Sequence, residues 1–191
     1  MKTGLLLVVS GPAGVGKGTV VSLARERNKD IVFSVSMTSR KPRPGEKDGV
    51  NYFFVSRDKF LEMVEENLLV EWVEYCGNYY GTPKQYIEQQ LEQGNIVLLE
   101  IEVEGARNIK KQYPKCVSIF ITPPTAEELK NRITKRGTES PEIIEKRMKR
   151  AIKELEYMDK YDYTIKNDSV DESVKQLLEI IEKEREPSNT I

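Results

Sequence analysis

Apolar residues gather in three nearly continuous runs, Leu5 to Val9, Ile96 to Ile101 and Val117 to Ile121. Such runs are typical of strands that are buried on both faces of a parallel sheet. The first run is followed by Gly16 to Arg27, in which apolar residues recur at helical spacing. Strands that alternate with helices predict an open α/β sheet, and ligands bind outside the carboxyl ends of the strands in such sheets. We therefore expect the functional site at that edge.

The stretch from Ser36 to Thr82 has a different pattern. It begins with an irregular basic loop rich in proline and glycine, which leads into a short strand, Tyr52 to Val55. Ser56 can cap the short helix that follows, Arg57 to Glu66. A longer strand, Leu69 to Tyr75, is followed by Gly77-Asn78, a turn typical of β-hairpins. This order predicts a small, mainly β insert, after which Thr82-Pro83 starts the next helix.

Two helices are predicted after the third apolar run, and they carry the densest basic cluster in the chain. Thr125 and Glu128 form a capping box for the first helix, and Ser140-Pro141 starts the second. A last strand, Tyr163 to Ile165, and a terminal helix, Val170 to Lys183, complete the pattern. The basic residues of the two helices are Lys130, Arg132, Lys135, Arg136, Lys146, Arg147, Lys149 and Arg150.

The first apolar run ends in a glycine-rich loop that leads directly into a helix. A loop in this position points backbone N–H groups and the positive end of the helix dipole at one place, which suits a phosphate group. Glycines allow the backbone to curl around the anion, and Lys17 can reach the outer phosphates. The spacing of Gly11, Gly16 and Lys17 fits a Walker A loop. The candidate triphosphate-binding residues are Gly11, Pro12, Ala13, Gly14, Val15, Gly16, Lys17, Gly18 and Thr19.

The loop departs from the strict Walker A pattern after the lysine. Gly18 stands where Ser or Thr is usual, and Thr19 comes one position later, so the hydroxyl group that usually binds magnesium is displaced. Glu100 lies at the carboxyl end of the second apolar run, close to the loop in an open sheet. Because Mg²⁺ keeps much of its hydration shell, Thr19 and Glu100 are candidate metal ligands that act largely through water.

Composition excludes several classes of site and of partner. The 191 residues suit one domain with an inserted subdomain, and 30 Lys+Arg against 31 Asp+Glu give no bulk attraction to nucleic acid or membrane. Cys76 and Cys116 stand far apart, which argues against a disulfide or a zinc site. The N-terminal apolar run is too short for a signal peptide or a membrane span, so a cytoplasmic protein is expected. The chain has no histidine, and its chemistry must therefore need no histidine base.

The chain resembles the guanylate kinase family over nearly the whole length of the chain. Five motifs, which occur in that family's order, carry the resemblance. They are SMTSRKPRPGEKDGVNYFFV, VEWVEYCGNYYGT, LLEIEVEGA, R-x-x-x-R-G-T-E and the K-N-D that follows the last predicted strand. The resemblance implies transfer of the terminal phosphate of ATP to GMP, and to dGMP, with Mg²⁺. It also implies a P-loop NTPase-type parallel sheet flanked by helices, with a core at 1–35, 84–123 and 151–191. A mainly β GMP-binding insert at 36–83 and a mobile helical lid at 124–150 complete the implied domain.

The resemblance also implies a second phosphate site, in which Arg40 and Arg43 bind the phosphate of GMP together with Tyr52 and Tyr80. Guanidinium groups suit this role because their planar forks bind two phosphate oxygens at once. Guanine presents N–H donors at N1 and N2, whereas adenine presents an acceptor at N1, so a carboxylate favours guanine. Glu71 is the candidate for this carboxylate. Its companions by resemblance are Ser36, Thr82 and Glu102, although family members often have Asp at the position of Glu102.

The predicted reaction needs alignment and charge neutralisation more than covalent help. A nucleoside monophosphate has a second pKa near roughly 6, so its phosphate is mostly a dianion at pH 7 and already a nucleophile. Lys17 and the loop amides neutralise charge on the transferred group. By resemblance the lid arginines assist them, and Asn167 helps to hold the adenine of ATP. These lid arginines are Arg132, Arg136 and Arg147.

Two other hypotheses remain open at this point. The Gly-Lys-Gly-Thr loop also resembles adenylate kinases, which would make the chain a kinase for another nucleoside monophosphate. A catalytically inactive guanylate-kinase-like module that binds phosphopeptides is the second. For Arg132 and Arg136, pairing with Glu128 or Glu139 at helical spacing is the structural alternative to a catalytic role. The predicted partners are ATP and GMP, with no nucleic acid and no membrane, and the chain is expected to be a monomer or a homodimer.

Overall fold

The computed structural model of the chain describes residues 4–75, 77–134 and 141–185. The nine strands and seven α-helices of this part are, in chain order, β1 (Leu5–Ser10), α1 (Lys17–Arg27), β2 (Ile31–Phe33), β3 (Met37–Thr38), β4 (Phe53–Phe54), α2 (Arg57–Glu65), β5 (Leu69–Tyr75), β6 (Asn78–Pro83), α3 (Lys84–Glu92), β7 (Ile96–Glu100), α4 (Val103–Gln112), β8 (Val117–Thr122), α5 (Ala126–Thr134), α6 (Pro141–Leu155), β9 (Tyr163–Lys166) and α7 (Val170–Arg185).

The three apolar runs form the three central strands of one parallel sheet, whose order is β2-β7-β1-β8-β9. Strand β1 lies in the middle, where Leu7 pairs with Leu98 on one side and with Val117 on the other. Every residue of β1 and β8 is buried. Burial on both faces explains why these strands are continuous in apolar residues, and the predicted α/β fold is confirmed.

Alternate residues of β1 serve two separate cores. Leu5, Leu7 and Val9 pack into a core on one face, to which α1, α5, α6 and α7 contribute buried side chains. Leu6 and Val8 point to the other face and pack with residues of α3 and α4. The two-residue period of a strand thus produces a three-layer arrangement from a single apolar run. Cys116 is a free, buried thiol of the second core, whereas Cys76 lies outside the described residues.

Residues between Met37 and Pro83 form a second sheet of order β4-β3-β6-β5. Helix α2 covers this sheet, and its N-terminus is capped as predicted, since the Ser56 hydroxyl accepts from the Lys59 N–H at 3.1 Å. Phe60 of α2 is fully buried and stacks on Tyr79, with ring centroids 5.4 Å apart. The predicted mainly β character of this stretch is therefore correct, and the sheet has a small core of its own.

Two local predictions in this stretch were wrong. The predicted hairpin is present, since β5 pairs with Tyr79 and Tyr80, but Asn78 pairs with Tyr75 and so belongs to the strand and not to the predicted Gly77-Asn78 turn. Thr82 does not start α3 but lies in β6 opposite Glu71, and α3 follows Pro83 without a side-chain cap. In both cases the pairing of β5 with β6 overrides a local turn or cap signal.

Helix α6 extends to Leu155. The lid was predicted to end at residue 150, which lies inside this continuous helix. Across the three described ranges, no helix combines the length and the apolar composition needed to cross a bilayer.

Candidate active site

The glycine loop between β1 and α1 has the backbone that phosphate binding requires. Gly11, Gly14 and Gly16 have φ values of 146°, 86° and 96°, which side chains disfavour. A Cβ atom on Gly11 would lie 2.2 Å from the carbonyl oxygen of Ile121. The loop therefore depends on glycine both for its conformation and for its close approach to β8.

Lys17 is the first residue of α1 and folds back over the loop. Its Nζ donates to the carbonyl oxygen of Gly11 at 2.6 Å and to that of Pro12 at 3.4 Å. The ammonium group thus lies within the curve of the loop, at the positive end of α1. Lysine charge, helix dipole and backbone N–H groups converge on one place, and such a place can bind a polyphosphate.

Arg132 and Asn167 hold the loop through the carbonyl oxygen of Val15. The Nδ2 of Asn167 donates to the carbonyl oxygen of Val15 at 2.8 Å, and its Oδ1 accepts from the Ser173 hydroxyl at 3.0 Å. Arg132 donates to the same Val15 oxygen at 3.2 Å and to the carbonyl oxygen of Asn167 at 3.3 Å. It also forms the anticipated helical pair with Glu128 at 2.9 Å. Both predicted nucleotide ligands therefore contact the loop backbone, and their roles toward ATP stay predictions.

Glu100 places its carboxyl group beside the first turn of α1. A Cβ atom on Gly18 would lie 3.7 Å from both of its carboxyl oxygens. Burial raises the pKa of Glu100, while the ammonium of Lys17 acts in the opposite direction. Thr19 is exposed, and on a helix its side chain is rotated about 100° from that of its neighbour.

These donors fit Mg²⁺, which binds through one or two carboxylates together with substrate phosphates and water. Among the residues that the structure describes, no three His, Cys, Asp or Glu side chains could hold a metal ion by themselves. A metal ion at Glu100 would therefore need phosphate oxygens and water as further ligands.

The basic loop of the second sheet holds Arg40 in a fixed position. Its Nη1 and Nη2 donate to the two carboxyl oxygens of Glu46 at 3.0 and 2.9 Å. Its Cζ lies 5.5 Å from the ring centroid of Tyr52 and 5.7 Å from that of Phe54. Tyr52 contacts Tyr80 edge-on at 6.0 Å, so three of the four predicted GMP-phosphate ligands lie together. The hydrogen bonds to Glu46 raise the pKa of Arg40 above its ordinary value.

Arg43, the fourth, is exposed. Its backbone N–H donates to Oε2 of Glu46 at 2.7 Å, so one glutamate organises both predicted arginines.

Glu71 is a buried carboxyl group that is hydrogen-bonded to the side chain of Thr82. It is 7% exposed, and the hydroxyl of Thr82 donates to its Oε1 at 2.7 Å. Burial raises the pKa of Glu71 to about 7, although the bond from Thr82 acts in the opposite direction. A Cβ atom on Gly105 would lie 2.9 Å from Oε2. The glycine in α4 therefore gives this carboxyl group room.

One cleft with a cavity volume of about 600 Å³ joins these groups. It lies at the carboxyl edge of the parallel sheet, as predicted, and extends beneath the second sheet. Thr82 and Arg40 are connected to it through Glu71 and Tyr52, whereas Arg132 and Asn167 stand behind the glycine loop. The predicted site residues that line the cleft are Lys17, Ser36, Tyr52, Glu71, Tyr80, Glu100 and Glu102.

Comparisons with known proteins agree with this geometry. The model of the family described as guanylate kinase matches residues 3–184. The chain belongs to the guanylate kinase family. A guanylate kinase of Halalkalibacterium halodurans is 52% identical over 181 residues, which is 95% of this chain and 89% of the relative. One of Caldanaerobacter subterraneus is 50% identical over 184 residues, with coverage of 96% and 89%.

A solved structure extends the comparison to three dimensions. The crystal structure of guanylate kinase from Anaplasma phagocytophilum superimposes with a TM-score of 0.81 at 34% identity, covering 98% of this chain and 89% of that chain. The fold that the family resemblance implied is therefore the fold of this chain.

The lid arginines of the family pattern are only partly described. Arg132 lies on α5 and contacts the glycine loop, and Arg147 is a half-buried residue of α6. Arg136 lies outside the described residues. The catalytic roles of all three stay predictions.

Three residues of the site were missed in the sequence. Glu46 orients Arg40 across six positions of an irregular loop, where no periodic signal exists. Arg150 and Glu154 line the cleft, and Arg150 contacts Glu102 at 3.0 Å. Arg150 and Glu154 have helical i, i+4 spacing, which was a usable signal for their own pair. Nothing local indicates the contact of Arg150 with Glu102.

Replacing Glu71 by Gln should remove a pH dependence of stability. The pKa of Glu71 is about 7 in the folded protein, and its ordinary value, which we take for the unfolded chain, is 4.5. Between pH 4.5 and pH 7 the folded protein therefore binds more protons at this group than the unfolded chain does. The free energy of unfolding of the wild type therefore falls as pH rises through this window, by about 3 kcal/mol in total.

In Glu71→Gln this fall should be absent, so the variant gains stability relative to the wild type between pH 5 and pH 8. Urea unfolding at several pH values measures the effect. Glu74→Gln, which changes an exposed carboxylate of the same strand, is the control and should follow the wild type. Parallel pH curves for the wild type and Glu71→Gln would contradict the raised pKa.

Proposed function

We propose that this chain transfers the γ-phosphate of ATP to GMP, giving ADP and GDP, and that it also accepts dGMP. The observation that carries the proposal is the single cleft that contains both Lys17 of the glycine loop and the buried carboxyl group of Glu71. A phosphate cradle and a carboxyl group suited to guanine, within one cleft, support two nucleotides bound with their phosphates facing each other. Membership of the guanylate kinase family supports the same reaction.

The acceptor base is read by Glu71. Its carboxylate accepts from N1–H and N2–H of guanine, and these donors compensate for the burial that otherwise disfavours its charge. Thr82 holds Oε1 at 2.7 Å and restricts the rotation of the carboxyl group. An adenine base would present an unpaired acceptor to the same group, which costs affinity. Ser36 and Glu102, which line the same cleft, are the further base or ribose contacts of this proposal.

The acceptor phosphate is bound by the basic loop. Arg40 and Arg43 provide the positive charge, and Tyr52 and Tyr80 provide hydroxyl donors. Because Glu46 and two aromatic rings hold the Arg40 guanidinium before a ligand arrives, little side-chain entropy is lost on binding.

The donor triphosphate is bound by residues Gly11 to Thr19. Backbone N–H groups of the loop and the Lys17 ammonium contact the β- and γ-phosphates, with Asn167 at the adenine. A phosphate oxygen of GMP attacks the γ-phosphorus and the oxygen that bridges to the β-phosphate leaves with ADP, so no general base is needed. Lys17 and the arginines Arg132, Arg136 and Arg147 neutralise charge on the transferred group. Glu100 and Thr19 would hold Mg²⁺ through water, and the bound ion would further neutralise phosphate charge.

The domain organisation belongs to the same proposal. The core comprises 1–35, 84–123 and 151–191, the insert at 36–83 carries the acceptor site, and the lid at 124–150 closes over the phosphates and excludes water. The separate sheet and core of the insert support its division from the rest. Both substrates are nucleotides of the cell interior, which supports a cytoplasmic location without a nucleic acid or membrane partner. The proposed assembly state is a monomer or a homodimer.

A panel of acceptors tests the function directly. With ATP and Mg²⁺, kcat/KM for GMP should exceed that for AMP, UMP and dTMP by at least about 100-fold, because a buried carboxyl group rejects bases that leave it unpaired. ADP formation in a coupled assay measures it. Faster turnover of AMP than of GMP would indicate a kinase for another nucleotide, and GMP binding without turnover would indicate a non-catalytic module.

Lys17→Met should separate the donor site from the acceptor site. Loss of the ammonium should lower kcat by at least about 100-fold, because its charge acts on the transferred phosphoryl group. The dissociation constant of GMP, measured by calorimetry without ATP, should stay within about twofold of the wild type, since distinct groups bind the acceptor. Lys29→Met changes an exposed lysine beyond the end of α1 and should leave both values unchanged. An equal loss of GMP affinity in Lys17→Met would refute the two-site arrangement.

Glu71→Gln should relax base selectivity. An amide oxygen accepts one hydrogen bond, but the amide nitrogen meets a guanine donor with another donor, so the KM for GMP should rise by about tenfold or more. The ratio of kcat/KM for GMP to that for AMP should fall with it, and Glu74→Gln should leave the ratio unchanged. An unaltered ratio in Glu71→Gln would remove this residue from guanine recognition.

A further inference from the structure

An ion pair joins α6 to the residue that precedes α4, and both segments line the cleft. Nη2 of Arg150, on α6, donates to Oε2 of Glu102, just before α4, at 3.0 Å. Nε of the same guanidinium donates to Oε1 of Glu154 at 2.8 Å. All three side chains line the cleft. One guanidinium therefore connects the wall formed by α4 with the wall formed by α6.

The position of Glu102 in the backbone does not by itself orient its carboxylate. Glu102 is the N-cap residue of α4, yet its side chain makes no capping hydrogen bond. A shorter acidic side chain at an N-cap ordinarily accepts from the first turn of its own helix. Here the carboxylate is half exposed and contacts Arg150 instead. Its direction within the cleft is thus determined by a residue 48 positions later in the chain.

Glu154 fixes the other end of the connection. It is 8% exposed, and burial raises its pKa while Arg150 acts in the opposite direction. Because Arg150 contacts Glu102 and Glu154 through different nitrogens of one rigid plane, moving either carboxylate moves the guanidinium. A lysine ammonium, as a single point charge on a flexible stem, cannot reproduce this planar geometry.

Arg150 lies on the same face of α6 as Arg147, one of the proposed lid arginines. Arg147, Arg150 and Glu154 follow i, i+3 and i+7 spacing on α6, which places them on one side of the helix. The helix that carries a proposed lid arginine is therefore the helix that determines the direction of Glu102.

We propose that Arg150 is a positioning residue for the acceptor nucleotide. It holds the carboxylate of Glu102 in the part of the cleft that Glu71 also lines, and it ties that carboxylate to α6. Glu102 then meets the guanosine part of the acceptor already oriented. The inference rests on the proposed GMP kinase function and adds a residue that acts through Glu102 and not on the transferred phosphate.

Arg150→Met tests the role, since methionine keeps an unbranched helix-forming side chain without the guanidinium. The dissociation constant of GMP and its KM should rise about tenfold, as expected when a charge-assisted contact is lost. The KM for ATP should stay close to the wild type. Lys149→Met is the matched control, because Lys149 is the preceding residue of α6 and pairs with exposed Glu145 at 2.7 Å. Its GMP affinity should stay within about twofold of the wild type.

A double-mutant cycle with Glu102→Gln tests whether Arg150 acts through Glu102. In the Glu102→Gln background, Arg150→Met should change GMP affinity by less than about twofold, because the group that it positions has lost its charge. Arg150→Lys should recover only part of the affinity lost in Arg150→Met.

The outcomes separate this inference from the proposed function. If the wild type phosphorylates GMP and Arg150→Met binds GMP as tightly as the wild type does, the inference is overturned and the proposed function is not. Multiplicative effects in the cycle, or equal rises in the KM for ATP and GMP with a lowered melting temperature, would overturn it as well, since they indicate a merely structural role. A wild type that neither binds nor phosphorylates GMP would overturn both.

Discussion

The parallel pairing of β1 with β7 and β8 is the constraint on which the site depends. This pairing places Val9 opposite Glu100, so the glycine loop and the carboxylate at the end of β7 emerge side by side. The same register lets β8 approach the loop so closely that only glycine fits at position 11. A phosphate cradle with a carboxylate beside it is thus a consequence of strand register, and the apolar side chains that produce the register lie away from the site.

Charge in the cleft is organised by pairing and not by excess. The chain has a net charge of −1, yet arginines near the cleft are held by glutamates, Arg40 by Glu46 and Arg150 by Glu102. The Arg150–Glu102 pair is half exposed, and pairs of that kind contribute little to stability. Their effect is to restrict the guanidinium groups before a nucleotide binds, which lowers the entropy lost on binding. A nearly neutral protein can therefore present locally cationic sites for two phosphate groups.

Much of the fold was predictable because its signals are local. The three apolar runs became the central strands β1, β7 and β8, and the caps at Ser56 and Thr125 start helices as expected. The glycine loop was recognisable because its spacing encodes its own conformation. Asn78 and Thr82 were misassigned because their pairing partners lie across a hairpin, and a local signal cannot outweigh a ladder of strand hydrogen bonds.

The sequence alone determined which groups are present: a phosphate loop, a second basic loop, a candidate guanine-reading carboxylate, and no histidine. Only the tertiary structure decided how these groups are presented. It buries Glu71 beside Thr82 and raises its pKa, and it brings Arg150 to Glu102. Burial and long-range contacts are properties of packing, and no spacing along the chain encodes them. The types of chemistry can therefore be inferred from residue order, whereas protonation and orientation follow from the fold.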